Sequence, residues 1–244
     1  MSRIVKYKYI RNDIKDICST FAAENVEYFL DSGSLLGAVR TGSMVPNDGD
    51  IDFGLLNSSE GDLFTALIRL KTKGFAVQIK RYSVQLNRSG IPISCTFYKT
   101  QHDHLQGFWG APKSKGLLGI LLRIICWFNA EQYQSLRFKQ ALSLGVVSKY
   151  VLNILGKILP ASVKYRIDSL QYRFGPRYLW WIPKPLIKLG NHIQFEGVDC
   201  AAPFEPEKYL SYRYGYDWRI PRSKWNTVKD DKCLVESEKH RNFK

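Results

Sequence analysis

Near the start of the chain, Ile10, Ile14, Ile17 and Phe21 recur at helical spacing. With Asn12 or Asp13 as a cap, that spacing predicts a helix over about residues 11–25. "VEYFLDSG" is a short apolar run closed by Asp31-Ser32-Gly33 and reads as a buried strand. "SLLGAVR" reads as a short helix whose first turn follows Gly33-Ser34. In "DIDFGLL" the pattern switches to period two. Asp50, Asp52 and Gly54 fall on one face of a strand, and Ile51, Phe53 and Leu55 on the other. "SSEGDLFTALIRLKTKG" reads as a capped amphipathic helix ending at Gly74. "FAVQIKRY", "SVQLNR" and "IPISCTFYK" follow as β-rich segments. The order α-β-α-β-α-β-β-β predicts a mixed α/β (α+β) layer fold.

The texture changes from about residue 111. "GLLGILLRIICWF" is apolar but interrupted by Arg123 and too short to span a bilayer, which takes roughly 20 residues. Basic amphipathic sequence follows, broken near Pro160, and then a cluster of tryptophans, basic residues and prolines in "RYLWWIPKPLIK". Charge sharpens this boundary. The chain has 36 Lys+Arg against 22 Asp+Glu, a net +14. Residues 111–190 hold 13 basic residues and only 2 acidic ones, Glu131 and Asp168, and so nearly the whole surplus. The expected organisation is a catalytic core over 1–110, a mainly helical basic insertion over 111–190, and a C-terminal segment over 191–244 that packs back on the core and ends in a polar, frayed tail. A basic amphipathic block with Trp109, Trp127, Trp180 and Trp181 is compatible with a solvated helical surface or with an anionic membrane surface. With no nucleic-acid motif beside the charge, no nucleic-acid partner is expected. Five cysteines without a close pair, and a charged start lacking an apolar core, fit a cytoplasmic protein, with peripheral attachment to the membrane left open.

The chemistry concentrates in "DSGSLLGAVRTGSMVPNDGDIDFG", where Asp31, Asp48, Asp50 and Asp52 lie within 22 residues. Carboxylates at i and i+2 on a strand project from one face, close enough to share a divalent cation. A Gly-Ser turn at a helix N-terminus offers N–H groups and a hydroxyl to a phosphate. The conjunction is a metal-phosphate clamp suited to phosphoryl transfer. "HDH" at 102–104 lacks a third ligand at a recognisable spacing and is expected to be a loop pair, and Cys95 is expected in the core.

The same stretch closely resembles the signature of the LicD/fukutin family, D-G-G-[TS]-L-L-G-A-x-R…[IV]-P-W-D-x-D-[IV]-D-[IVLF]-G. Matching positions are Asp31, Gly33, Ser34, Leu35, Leu36, Gly37, Arg40, Pro46, Asp48, Asp50, Asp52 and Gly54. A second stretch, "PFEPEKYLSYRYGYDWRIP" at 203–221, looks like the family's closing Y-L-x-x-x-Y-G-x-x-[WM]-x-x-P segment. The resemblance implies a nucleotidyltransferase-like mixed sheet flanked by helices. It also implies a transferase that moves a phospho-alcohol, phosphocholine- or ribitol-phosphate-like, from a CDP-activated alcohol donor to a hydroxyl of a glycan or lipid-linked glycan acceptor, releasing CMP.

Carried over by position, Asp50 and Asp52 would be the catalytic metal ligands for Mg²⁺ or Mn²⁺. Gly33 and Ser34 would cradle the diphosphate, with Arg40 neutralising phosphate charge or forming a surface ion pair. Asp31 and Asp48 would be supporting, and Asp31 could instead cap the short helix. The chain departs from the pattern at Asn47 and Gly49. Where relatives often have a further carboxylate, "IPISCTFYK" offers Ser94, Cys95 and Thr96, so the general base is open among Asp103, Asp48 and Asp31. Two other readings stand beside this one: a different nucleotidyltransferase-fold enzyme modifying a protein or small molecule, and an inactive relative that binds glycans or membranes.

Overall fold

The structure is a computed structural model and describes residues 3–46, 48–56, 59–80, 82–112, 176–222 and 225–236. The chain divides into two compact units. Met1–Gln78, Tyr82–Phe108 and Tyr178–Lys244 form the first, and Ile79–Arg81 with Trp109–Arg177 the second. The helices expected within 113–175, Asn47 and the tail at 237–244 lie outside the described residues. Residues 176–190, the end of the block expected to be mainly helical, are instead a strand, a short 3-10 turn at 184–187 and the start of a second strand.

Helix α1 (Arg3–Ala23) buries Ile10, Ile14, Ile17 and Phe21 as the spacing predicts, but it begins well before residue 11. Asn12 and Asp13 therefore sit inside the helix rather than capping it. Asp13 is buried and accepts from Arg88 Nε at 2.8 Å, a tertiary ion pair that replaces the expected capping role.

Next come β1 (Tyr28–Leu30), α2 (Ser32–Thr41), β2 (Ile51–Leu55), α3 (Glu60–Thr72), β3 (Ala76–Ile79), β4 (Ser83–Asn87) and β5 (Ile93–Phe97). Helix α3 starts at a serine cap, Ser59 accepting from Asp62 N–H at 3.1 Å. The strands form one mixed sheet in the order β1-β2-β5-β4-β3. β1 runs antiparallel to β2, β2 parallel to β5, and β5 antiparallel to β4.

Register sorts the side chains by face. Tyr28, Leu30, Ile51, Phe53, Leu55, Ile93, Cys95, Val84 and Leu86 are buried on one face. There Tyr28 meets Phe21 of α1 and Phe53 at ring-centroid distances of 5.4 and 5.8 Å, and α1 packs against α3. Truncating a fully buried Phe53 to Ala would cost about 3–5 kcal/mol. The opposite face carries Asp52, Ser94 and Gln85 in a row, and Gly54 beside Phe29. A Cβ on Gly54 would run into the Phe29 ring, which explains a glycine inside a strand.

Beyond the sheet lie β6 (Lys99–Gln101), β7 (His104–Pro112), β8 (Pro176–Pro183), β9 (Leu189–Phe195), β10 (Val198–Pro203), α4 (Pro206–Tyr214), α5 (Thr227–Asp230) and β11 (Leu234–Glu236). β11-β8-β7-β6 is a second sheet. β9 and β10 make a two-residue hairpin whose Glu196 and Gly197 both have positive φ, 51° and 72°, as a type I′ turn requires. This hairpin packs on β1 and α2. Glu196 N–H donates to the Gly42 carbonyl and its Oε1 accepts from Met44 N–H, both at 2.8 Å, which holds the loop that leaves α2. Cys18, Cys95, Cys200 and Cys233 are buried free thiols. Among the described residues no helix is long and apolar enough to cross a membrane.

Candidate active site

The site is built on the junction of β1, α2 and β2. Asp31 ends β1 and caps α2, its Oδ1 accepting from Ser32 N–H at 2.6 Å. Gly33 and Ser34 follow in the first helical turn, where backbone N–H groups have no intrahelical acceptor. Two bonds lock that turn to β2: Asp52 N–H donates to Ser34 Oγ at 2.9 Å, and Asp31 N–H donates to the Asp52 carbonyl at 3.0 Å. The far end of α2 is equally fixed. Gly37 lies so close to the returning backbone at Ser43 and Val45 that any Cβ would collide with it, and Gly42 ends the helix at φ 72°.

Asp50 immediately precedes β2 and Asp52 is its second residue, two positions apart on the polar face. Both are partly exposed, unlike the buried Ile51 between them. Asp48 sits in a turn whose N–H donates to Val45 O at 3.0 Å, and its carboxylate lies against the Cα of Gly33. Burial, then repulsion from Asp50, Asp31 and Asp48, pushes the Asp52 carboxyl well above the usual carboxylate range, with Arg213 opposing. Negative charge is thus crowded where α2 begins.

Asp31 has a different job from the other three. It is 2% exposed. Besides Ser32 N–H it accepts from Tyr209 Oη at 2.6 Å, Tyr98 Oη at 2.8 Å and Arg213 Nη1 at 2.9 Å. Arg40, on the last turn of α2, donates through Nη2 to the carbonyls of Trp218 and Ile220, so it holds the 203–221 segment rather than forming an ion pair. Burial lowers its pKa from the ordinary arginine value.

Residues 25–140 match the family described as LicD/FKTN/FKRP, nucleotidyltransferase domain. The chain carries a LicD-family domain. An uncharacterized protein of Rickettsia prowazekii (strain Madrid E) is 34% identical over 68 residues, 28% of this chain and 26% of that protein. One from Rickettsia typhi (strain ATCC VR-144 / Wilmington) is 32% identical over 65 residues, 27% of this chain and 21% of that protein. The match therefore spans about a quarter of these curated relatives' length. Among solved structures, ANT(2")-Ia in complex with adenylyl-2"-tobramycin shares 12% identity at a TM-score of 0.32, covering 69% of this chain and 98% of that one. The solution structure of ANT(2'')-Ia gives 13% and 0.32, covering 66% and 90%. At that score the likeness adds nothing to the fold, which rests on strand order and the LicD match.

Arg213 lies outside the matched span yet is bolted to the LicD domain. It is 1% exposed, with Nη1 on Asp31 and Nε on Asp231 at 2.7 Å, and its guanidinium lies 4.2 Å from the Trp180 ring centroid. Burial disfavours its charge, but Tyr209, Asp231 and Asp31 more than offset this and hold its pKa well above the ordinary arginine value. Tyr98, Tyr209, Arg213 and Asp231 are absent from the sequence-based site. Tyr209 alone has a signal, as the first tyrosine of the closing motif.

Asp103, a candidate base, is exposed in the β6–β7 turn, while His104 stacks on Trp181 at 4.8 Å between centroids. Among the described residues no group of three or more His, Cys, Asp or Glu side chains is arranged to hold a metal. The donors that remain, Asp50 and Asp52, are hard carboxylate oxygens in a spot crowded with negative charge. That set suits Mg²⁺ or Mn²⁺, which take one or two carboxylates and complete their shell with substrate phosphates and water.

Proposed function

We propose that the protein is a divalent-metal-dependent phosphotransferase that moves a phospho-alcohol from a CDP-activated donor to a glycan hydroxyl and releases CMP. The observation that supports this reading best is the pair of bonds joining the first turn of α2 to the Asp52 strand. Phosphate-binding N–H groups and paired carboxylates are thereby parts of one rigid unit. Catalysis of phosphoryl transfer consists mainly of such positioning and charge neutralisation.

In this reading Asp50 and Asp52 hold Mg²⁺ or Mn²⁺, which neutralises charge on the donor diphosphate. The N–H groups of Gly33 and Ser34 orient the same diphosphate. The acceptor oxygen forms a bond to the phosphorus that bears the alcohol, and the bond from that phosphorus to the CMP oxygen breaks. Asp48 is the carboxylate proposed to take the acceptor proton. Its carboxylate stands against Gly33 at the start of α2, beside the proposed diphosphate cradle, and its Oδ1 accepts from Gly49 N–H at 3.0 Å. A lipid-linked glycan acceptor and peripheral membrane contact through 111–190 belong to the same proposal.

The test is CMP release from a panel of CDP-alcohols with Mn²⁺ or Mg²⁺ and several glycan acceptors, wild type beside Asp52→Asn. Wild type is expected to release CMP on one donor and the variant to fall to background. No release above the variant on any donor defeats the reading. Pyrophosphate release from a nucleoside triphosphate instead would assign a nucleotidylating enzyme.

A further inference from the structure

Asp52, Ser94 and Gln85 stand side by side on three neighbouring strands. Asp52 is registered with Ser94 across the parallel β2–β5 pair, and Ser94 with Gln85 across the antiparallel β5–β4 pair. Registered residues project from the same face of a sheet, here the face that bears the carboxylate pair. Gln85 is 7% exposed and donates from Nε2 to Ser94 Oγ at 3.0 Å. A serine hydroxyl has a single proton. With its oxygen accepting from Gln85, that proton points elsewhere, and the next side chain along the row is Asp52. A buried amide is costly unless hydrogen-bonded, so this polar row is not a neutral filling of the sheet.

Resting on the reading of Asp50 and Asp52 as the metal pair, we propose that Ser94, oriented by Gln85, is a positioning residue for Asp52. With the cation bound, its hydroxyl would turn to donate to the Asp52 carboxylate and fix the rotamer in which that carboxylate meets the cation. Ligating carboxylates are commonly held by such outer hydrogen bonds, and losing one costs about 10–100-fold in metal affinity or activity. Because the hydroxyl is neutral, it orders the site without adding to the crowded negative charge.

The test is Mn²⁺ binding in the presence of CDP, followed by the paramagnetic resonance signal of free Mn²⁺, with thermal melting as the folding control. Ser94→Ala is expected to weaken Mn²⁺ by about tenfold or more. Ser94→Thr, which keeps the hydroxyl, should stay close to wild type. Gln85→Leu should fall between the two. If Ser94→Ala binds as tightly as wild type, or Ser94→Thr loses as much as Ser94→Ala, the role of Ser94 is overturned. Asp52→Asn separates the two levels. If it retains wild-type Mn²⁺ affinity, the metal-pair reading fails; if it loses Mn²⁺ while Ser94→Ala does not, only the Ser94 proposal fails.

Discussion

Ser32 stands at φ 50°, a left-handed backbone conformation, between the cap of α2 and Gly33. An L-residue with a Cβ is strained there by about 1–2 kcal/mol, and only glycine escapes. The LicD/fukutin pattern has glycine at this position, and the geometry explains why. Replacing Ser32 by Gly relieves the strain but adds freedom to the unfolded chain, an offset of roughly 0.5–1 kcal/mol. Ser32→Gly is therefore expected to raise stability by about 0.5–1 kcal/mol in urea titrations; a loss of stability would contradict the strained turn. At this scale the sequence displays four aspartates that look alike. The i, i+2 spacing runs through Asp48, Asp50 and Asp52 alike, and only the period-two apolar pattern of Ile51, Phe53 and Leu55 sets the strand on which Asp52 falls. What sets Asp31 apart is three side-chain partners 67 to 182 residues away, which no local pattern encodes.

Among the elements, β1, α2, β2 and α3 are legible in the sequence because each has its own periodicity and punctuation. The start of α1 is not, since Asn12 and Asp13 resemble caps until Arg88 claims Asp13. The β9–β10 hairpin is harder still to read: its strands alternate, but the turn is Glu-Gly rather than an Asn-Gly or Asp-Gly signal. α4 matters most for the site, because it delivers Tyr209 and Arg213 to the cap of α2. Removing one partner of a buried ion pair leaves an uncompensated charge and costs about 3–5 kcal/mol. Arg213→Ala strands two buried carboxylates, Asp31 and Asp231, and should lower the unfolding free energy by at least about that much in guanidinium titrations. A change below about 1 kcal/mol would show that the pairing is incidental.

For the whole molecule, the crowded site makes stability depend on pH and metal together. The folded state binds the Asp52 proton more tightly than the unfolded chain, whose ordinary value is 3.8. Its effect on metal-free stability is therefore absent below that value, grows as pH rises through the raised folded value, and is a full penalty above it. At neutral pH in EDTA, Asp52→Asn is expected to melt at a higher temperature than wild type. The gap should narrow as the pH falls towards 4 and when Mn²⁺ is added. Equal melting temperatures across that range would mean the carboxylate carries no such penalty. Composition shows only where basic charge gathers along the chain; the local acidic crowding arises from strand register and a helix start, which composition does not record.

The bond between Asp31 and Arg213 joins residues 182 positions apart. Translation is directional, at about 5–20 residues per second. On a ribosome, Asp31 thus waits roughly 10–35 s for Arg213 to be made. During that interval the carboxylate that caps α2 must stay hydrated, and the turn carrying Gly33 and Ser34 cannot settle into its finished place. Synthesis that stops before α4 yields a chain with every aspartate of the first motif and no assembled site.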